Sequence, residues 1–449
     1  MTNPDSIARL SEAVPRYTSY PTAPHFHAGV GPATFREWLT ELGAAPISLY
    51  VHIPYCDRLC WFCACHTKMT RRYEPVADYL KSLYQEIAAV GAALGDRVRV
   101  QAVHFGGGSP TMLNPDDIRV LDARLRSSFD YNPDAEISVE IEPNDMDEAR
   151  FEALAAIGMT RASLGVQDFD PKVQAAINRQ QSFELTRSVV ENVRKRGIRS
   201  VNLDLLYGLP HQTCESVAAT VQQALSLAPD RIALFGYAHV PWFKKHQTMI
   251  DEAWLPGPGE RLAQSQLAGE DIVRGGYQRI GLDHFARPDD SLACAARTGR
   301  LRRNFQGYTD DGCAVLIGLG PSAVSRLSKG YAQNTTSTAD YQRMVAETGF
   351  ATARGIALTY EDSIRGWVIE RLMCDFAFSG RELAETFGEA AEGIIAEARH
   401  LASNDSTPMF EQHGDLFVVS PERHPLIRTI AAKFDAYLSR GKARHSAAV

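Results

Sequence analysis

Six stretches of this chain alternate apolar and polar residues or run nearly apolar: Ser48 to Tyr55, Val100 to Gly107, Glu136 to Pro143, Arg161 to Gln167, Ser200 to Leu209 and Arg231 to Val240. That is the pattern of strands. Amphipathic helical patterns lie between them at Val76 to Leu94, Pro115 to Phe129, Asp147 to Ile157 and Ser182 to Arg196. The last shows how such a segment is bounded. Ser182 can act as N-cap, Leu185, Val189, Val190 and Val193 share one face, and Gly197 can take the left-handed conformation that ends a helix. Regular alternation of strand and helix predicts parallel βα units, in a barrel or a doubly wound sheet.

Side-chain parity chooses between the two. Successive residues of a strand point to opposite faces. In EISVEIEP, Ile137, Val139 and Ile141 share one face, and Glu136, Ser138, Glu140 and Glu142 share the other. Likewise Tyr50 and His52 oppose Val51 and Ile53, Gln167 opposes Leu164 and Val166, and Asp204 opposes Leu203 and Leu205. Strands of a doubly wound sheet are covered on both faces and read as continuous apolar runs. A recurrent polar face predicts instead an α/β fold built as a partial, TIM-like (β/α)6 barrel with a polar, ligand-holding lumen.

Further along, the segment from Gly275 to Tyr331 is mixed, with a strand candidate at Tyr277 to Phe285 and a basic, loop-like run from Arg287 to Tyr308. Beyond Asp340 the strand pattern fades. Amphipathic helices at Ser363 to Cys374 and Ala391 to Ser403 take over, with a short strand at Leu416 to Val419. The predicted organisation is an N-terminal extension near the active site (1–45), a barrel with substrate loops (46–335) and a smaller, mainly helical C-terminal domain (340–449).

Composition narrows the functional classes. A chain of 449 residues, 45% hydrophobic and 22% charged, can bury a large core. Its net charge of -7 comes from 54 acidic and 47 basic residues, well mixed, so it lacks the basic field that nucleic-acid binding requires. No run reaches the roughly 18 apolar residues of a membrane helix, and the start lacks a basic segment followed by an apolar one. The expectation is a cytoplasmic chain.

Eight cysteines are present; Cys56, Cys60, Cys63 and Cys65 are clustered just after the first strand, while Cys214, Cys294, Cys313 and Cys374 are scattered. In a reducing compartment such clustering reads as a metal site before it reads as disulfides. A structural zinc site usually takes two short ligand pairs a dozen or more residues apart, and the second pair is missing here. Ferredoxin spacings also differ. Three cysteines spaced 3 and 2 can ligate three irons of a cubane and leave the fourth open. The run Gly106-Gly107-Gly108-Ser109-Pro110-Thr111 ends the second strand, where bare backbone permits close approach of a ligand and exposes N–H donors.

The Cys-x3-Cys-x2-Cys motif with Phe62 before its third cysteine resembles the radical S-adenosylmethionine superfamily. The blocks YVHIPYCDRLCWFCACHTK, HFGGGSPTMLN, EISVEIEP, LGVQDFDPKVQAAINR, NLDLLYGLP, FGYAHVP, DHFARPDD and RNFQGY, with PRYTSYPTAPHF near the N-terminus, are similar to the oxygen-independent coproporphyrinogen III oxidase family. They run in order from Pro15 to about Ala332. The resemblance implies a radical S-adenosylmethionine barrel with one [4Fe-4S] cluster on Cys56, Cys60 and Cys63. It implies two S-adenosylmethionine molecules. The first, bound to the open iron, would be contacted by Tyr50, Gly107, Glu140 and the backbone near Val324; the second by Phe62, Gly108, Ser109, Gln167, Arg179, Asp204 and Ala238. Reductive cleavage of the sulfonium would give a 5'-deoxyadenosyl radical. Ser109 stands where the family often has threonine, and Ala64 where it has glycine; both keep the needed chemistry. Cys65 reads either as a bystander thiol or as a non-ligand cysteine near the substrate.

The implied substrate, coproporphyrinogen III, carries four propionates, which planar guanidinium groups bind well. Arg287, Arg297, Arg300, Arg302, Arg303 and Arg16 are the candidates, against the plainer reading of surface charge. The implied reaction, in porphyrin and haem biosynthesis, turns two propionates into vinyl groups, giving protoporphyrinogen IX. It requires a reductant such as flavodoxin or ferredoxin, and the chain is expected to act as a monomer. Competing readings are a radical methyltransferase or cyclopropanating enzyme, a haem-binding chaperone on the same scaffold, and a zinc-stabilised barrel.

Overall fold

The computed structural model describes residues 14–403 and 409–438; residues 1–13, on which the reading of the chain's start partly rests, lie outside them. The chain forms two compact units. One is built from 26–255 and 313–357, the other from the described residues up to 25, 256–312 and those from 358 onward. This partition differs from the segments 1–45, 46–335 and 340–449 expected from sequence. Residues of 256–312 share a hydrophobic cluster, Ile280, Ala286, Leu292, Leu301 and Tyr308, with Cys374. Conversely, a strand at Thr352–Ala357 belongs to the first unit's sheet. Its sequence, TARGIA, lacks the alternation that marks a strand, and it pairs closely enough that a Cβ on Gly355 would meet the Tyr331 carbonyl.

The first unit carries the barrel. Its strands are β1 (Ala45–Ile53), β2 (Val98–Gly107), β3 (Asp130–Ile141), β4 (Arg161–Gln167), β5 (Ser200–Tyr207), β6 (Arg231–Gly236), β7 (Val315–Leu319), β8 (Val324–Leu327), β9 (Gly330–Asn334) and β10 (Thr352–Ala357). Within this unit they run in the order β10-β9-β8-β7-β1-β2-β3-β4-β5-β6. From β7 through β6 every neighbouring pair is parallel, and β8 to β10 are antiparallel. The six expected βα strands are all present. β3 starts earlier than its apolar pattern, because the polar stretch from Asp130 pairs with Arg99 and Val100 and is tied by an Arg99–Asp130 ion pair at 2.9 Å.

Helices α1 (Glu74–Leu94), α2 (Pro115–Ser128), α3 (Glu148–Ala156), α4 (Phe183–Lys195) and α5 (Cys214–Ser226) cross over between strands. Each buries one apolar face, as Val189, Val190 and Val193 of α4 show. Burying such a side chain contributes about 1.5–3 kcal/mol. The Ser182 hydroxyl caps α4 by accepting from Leu185 N–H at 3.1 Å, and Gly197, at φ +80°, follows its end. On the strands Ile137, Val139, Ile141, Leu203 and Leu205 are buried, which leaves the opposite parity for the lumen.

In the second unit the run Arg287 to Tyr308 is not a loop. Asp290 caps a helix at Ser291–Arg297, accepting from Leu292 N–H, and Arg302–Asn304 pairs antiparallel with Gly307–Thr309 around a turn whose Gly307 has φ +119°. Capping and turn chemistry outweighed the weak apolar pattern. The strand expected at Tyr277 to Phe285 is two short strands, Gln278–Ile280 and His284–Ala286, paired antiparallel. The C-terminal part is mainly helical, as expected. Leu416–Val418 has partners in Ala377–Ser379 and Glu411–His413, and the sheet packs through Phe378 and Phe417 onto Phe410 and Phe434.

Candidate active site

A loop between β1 and α1 holds the cysteine motif. Tyr55–Cys56 pairs with Lys68–Met69, which closes the segment carrying Cys60, Cys63 and Cys65. Its backbone is pinned from the opposite wall: Trp61 N–H donates to the Ile177 carbonyl at 2.9 Å, and Asn178 Nδ2 donates to the Leu59 carbonyl at 2.9 Å. All four thiols are free and line one cavity of about 260 Å3. Among the described residues no three Cys, His, Asp or Glu side chains converge as a single metal ion would require. The thiols instead ring an open volume.

Beneath them lies the glycine run. Gly107, at φ +111°, packs so tightly that a Cβ would fall 2.5 Å from His52 Nδ1; at Gly108 it would fall 2.6 Å from the Tyr55 carbonyl. The expectation that this run offers free N–H donors is corrected. Gly107 N–H donates to Glu140 Oε2 (3.1 Å), Gly108 N–H to the Ile53 carbonyl (2.7 Å) and Ser109 N–H to the Tyr55 carbonyl (2.7 Å). Buried backbone donors find partners wherever the chain supplies them, and here the Glu140 carboxylate and the carbonyls at the end of β1 supply them. The glycines serve close packing.

Glu140 is the polar centre of the β3 wall. Burial alone would raise its pKa, but His104 Nε2 at 3.1 Å and Gly107 N–H outweigh burial and hold it below the usual carboxylate range. Tyr50 stacks on His104 with centroids 5.8 Å apart, and its hydroxyl lies 3.0 Å from His52 Nδ1. His52 Nε2 lies 2.8 Å from the His66 carbonyl, so Nε2 carries the proton and Nδ1 accepts from Tyr50. Desolvation lowers the His52 pKa, consistent with a neutral ring.

Across the cavity Arg179 donates to Glu142 Oε2 (2.7 Å), to the Gly165 carbonyl (2.6 Å) and toward Cys60 Sγ (3.6 Å). Its Nε is buried and has no partner. Gln167 sits at φ +68°, beyond a register shift in β4, and both Gly165 and Gln167, which share a strand face, line the cavity. Asp204 accepts from Asn202 Nδ2 at 2.7 Å.

Cys56, Cys60, Cys63, Cys65, Phe62, Gly107, Gly108, Ser109, Glu140, Gln167, Arg179 and Asp204 thus share one cavity. Tyr50, Ala238 and Val324 are not among its lining residues. Tyr50 stands behind Glu140 through His104, the Ala238 carbonyl accepts from Gln247 Nε2 (3.3 Å), and Val324 on β8 pairs with Gln333 on β9. The candidate arginines belong to the second unit. Arg287, Arg297 and Arg300 are exposed, as is Arg16; Arg302 pairs with Glu370 at 3.1 Å; Arg303 is buried, with Nε and Nη1 lacking hydrogen-bond partners.

The sequence singles out neither Glu142 as the partner of Arg179 nor Thr67, whose hydroxyl lies 3.1 Å from Cys56 Sγ. Glu142 shares the parity of Glu140, which was the available signal. Thr67 carried none.

Comparison with known proteins places this geometry. The radical SAM superfamily matches residues 50–224. An oxygen-independent coproporphyrinogen III oxidase of Paracoccus denitrificans is 47% identical over 99% of this chain and 98% of its own length, and one of Salmonella typhimurium is 42% identical over 98% and 96%. The chain belongs to the oxygen-independent coproporphyrinogen III oxidase family. The solved coproporphyrinogen III oxidase of Escherichia coli, described as a radical SAM enzyme, superposes with a TM-score of 0.90 at 39% identity, covering 95% of this chain and 100% of that one. Membership of the oxidase family implies a [4Fe-4S] cluster and S-adenosylmethionine. The residues present fit both: free thiols in a common cavity are the donor set of an iron–sulfur centre. The buried, unpartnered Arg179 Nε and the Glu140 carboxylate suit a ligand bearing both charges. No helix among the described residues is long and apolar enough to cross a membrane.

Proposed function

We propose that this chain oxidatively decarboxylates two propionate side chains of coproporphyrinogen III to vinyl groups, giving protoporphyrinogen IX without oxygen. The observation that carries the reading is the meeting of three thiols, the tight glycine run, Glu140 and Arg179 in one cavity of a chain 47% identical to such an oxidase. Cys56, Cys60 and Cys63 would hold the cluster. When bound, it supplies the electron that breaks the sulfonium of S-adenosylmethionine, so that the adenosyl carbon can take a hydrogen atom. Each propionate then loses that hydrogen, carbon dioxide and one electron.

The chain's own residues bind and orient. Glu140 accepts hydrogen bonds from a ribose or an amino group, with Tyr50, Gly107 and the backbone near Val324 completing the first cofactor's surroundings. Phe62, Gly108, Ser109, Gln167, Arg179, Asp204 and Ala238 surround the second. Arg179 offers its free Nε–H to a carboxylate, and Gln167 and Asp204 meet hydroxyls. The protein's own hydrogen bonds occupy the N–H groups of Gly107, Gly108 and Ser109, so cofactor contact there runs through close backbone approach. Cys65, the remaining thiol of the cavity wall, stands beside the substrate, and Arg303 and Arg16 lead the candidates for propionate contact. The enzyme works as a cytoplasmic monomer with a flavodoxin or ferredoxin as reductant.

Anaerobic reconstitution with iron and sulfide, followed by reduction in the presence of S-adenosylmethionine and coproporphyrinogen III, tests this. Carbon dioxide and 5'-deoxyadenosine should appear together, with a product lighter by two carboxyl groups, and Cys60→Ser should abolish all three. A tetrapyrrole heavier by methyl groups, or stable haem association without carbon dioxide, would overturn the reading.

A further inference from the structure

The segment after β6 does something the cofactor sites do not account for. Three of its side chains grip the backbone of the cysteine loop: Gln247 Nε2 donates to the Phe62 carbonyl (2.9 Å), His246 Nε2 to the Cys63 carbonyl (2.7 Å) and Lys244 Nζ to the Cys65 carbonyl (2.9 Å). Gln247 is fully buried and also accepts from Val240 N–H at 2.6 Å, so this segment is fixed from both ends. Its other face is turned to solvent. Trp242 is 52% exposed, Phe243 63% and Met249 58%. Large apolar groups at such exposure, grouped in one short segment, mark a contact surface.

Within the two loop segments the charge has one sign, with the exposed Asp251 and Glu252 following at the end of the second. The segments 62–72 and 240–250 contain Lys68, Arg71, Arg72, Lys244 and Lys245 and not a single Asp or Glu, in a chain whose net charge is -7. All but Lys244 of these cations are exposed, and so is Met69. The two segments touch where the His66 ring meets the Phe243 ring edge to face, with centroids 6.3 Å apart. An apolar centre with a basic rim complements an acidic protein and steers its approach.

We infer that this face, centred on Trp242, Phe243 and Met249 and rimmed by Lys68, Arg71, Arg72 and Lys245, docks the acidic, low-potential one-electron carrier protein that reduces the cluster. The inference rests on the proposed function, because only a chain with the cluster needs such a donor. One electron leaves the carrier's reduced cofactor and enters the cluster held by Cys56, Cys60 and Cys63; no proton or bond changes hands. The route is short, since the gripped carbonyls belong to Phe62, Cys63 and Cys65. Electron-transfer encounters are characteristically small and salt-sensitive, which suits a patch of this kind.

The test uses the reconstituted holoenzyme and reduced flavodoxin, with dithionite as a small-molecule reductant. Trp242→Ala with Phe243→Ala, and separately Lys245→Glu with Arg72→Glu, should keep wild-type iron content. The charge-reversed pair should slow cluster reduction by flavodoxin about tenfold at low ionic strength and flatten its salt dependence, while dithionite-driven turnover and the KM for coproporphyrinogen III stay at wild-type values. Unchanged flavodoxin rates in both variants would overturn the inference. So would a raised KM for coproporphyrinogen III with dithionite, which would make the patch an entry surface for the anionic tetrapyrrole. If the wild-type protein fails to turn over with dithionite, the proposed function itself has failed, a separate result.

Discussion

Arg179 answers to several neighbours at once, and its balance decides how the cavity wall behaves. It is buried, its strongest partner is Glu142, and Cys60 lies at the edge of its reach. Breaking a buried ion pair from one side costs about 3–5 kcal/mol, because the remaining charge is left uncompensated. Glu142→Gln should therefore lower the melting temperature and weaken S-adenosylmethionine binding, read by calorimetry and by equilibrium dialysis of the reconstituted protein. For Glu86 burial outweighs its hydrogen bonds. It lies on α1, accepting from Gly320 N–H (2.7 Å), Asn334 Nδ2 (2.6 Å) and Tyr341 hydroxyl (2.7 Å), and burial pushes its pKa up to about 7 despite these donors. A carboxyl whose folded pKa exceeds its unfolded value of 4.5 is held protonated by the fold. Its contribution is complete below about pH 4.5 and is lost as pH rises through about 7. Wild type should accordingly lose stability relative to Glu86→Gln across that window; parallel melting curves for the two proteins from pH 4.5 to 7.5 would refute the assignment.

At the scale of elements, the cysteine loop depends on the strand end beneath it. Gly108 has the Tyr55 carbonyl, the Thr67 hydroxyl and the Ile53 carbonyl all within 3 Å of where a Cβ would stand. Two of the three are backbone atoms and cannot swing away. Gly108→Ala should cost about 1–3 kcal/mol and reduce the iron retained per chain after reconstitution, measured by metal analysis. At Gly106 the three atoms nearest a Cβ all belong to the Glu140 side chain, so Gly106→Ala should keep more iron, while disturbing cofactor binding. This ordering was partly legible beforehand. Three glycines at the end of a strand announce close approach, and the parity of Glu140 and Glu142 announces a polar wall. That the approach is made by the chain's own His52, Ile53, Tyr55 and Thr67, and that Glu140 and the Ile53 and Tyr55 carbonyls use up the N–H groups, was not legible. Two of the partners lie on the preceding strand's end, far upstream, and Glu140 lies 33 residues downstream, and no local pattern encodes those pairings.

At the scale of the molecule, the second unit is held together by residues from opposite ends of the chain. Arg428 donates to the Val14 carbonyl at 2.8 Å and the Pro15 carbonyl at 3.2 Å, and Tyr17 donates to Asp435 at 3.1 Å. Arg428 is buried, so Arg428→Ala should cost about 3 kcal/mol by leaving carbonyls without their charged donor, seen as a lower melting temperature at unchanged pH. The residue order alone determined the strand faces, the helix limits around Ser182 and Gly197, and the spacing of Cys56, Cys60 and Cys63, because each rests on contacts between near neighbours with a fixed period. Only the tertiary structure decided that Arg179 faces Glu142 and Cys60, that Gln247 and Lys244 grip a loop far upstream, that 256–312 packs with residues after 358, and that Val14, Pro15 and Tyr17 meet Arg428 and Asp435. Those pairings depend on which surfaces come together when the apolar faces are buried, and burial is non-directional, so the sequence carries no local mark of them.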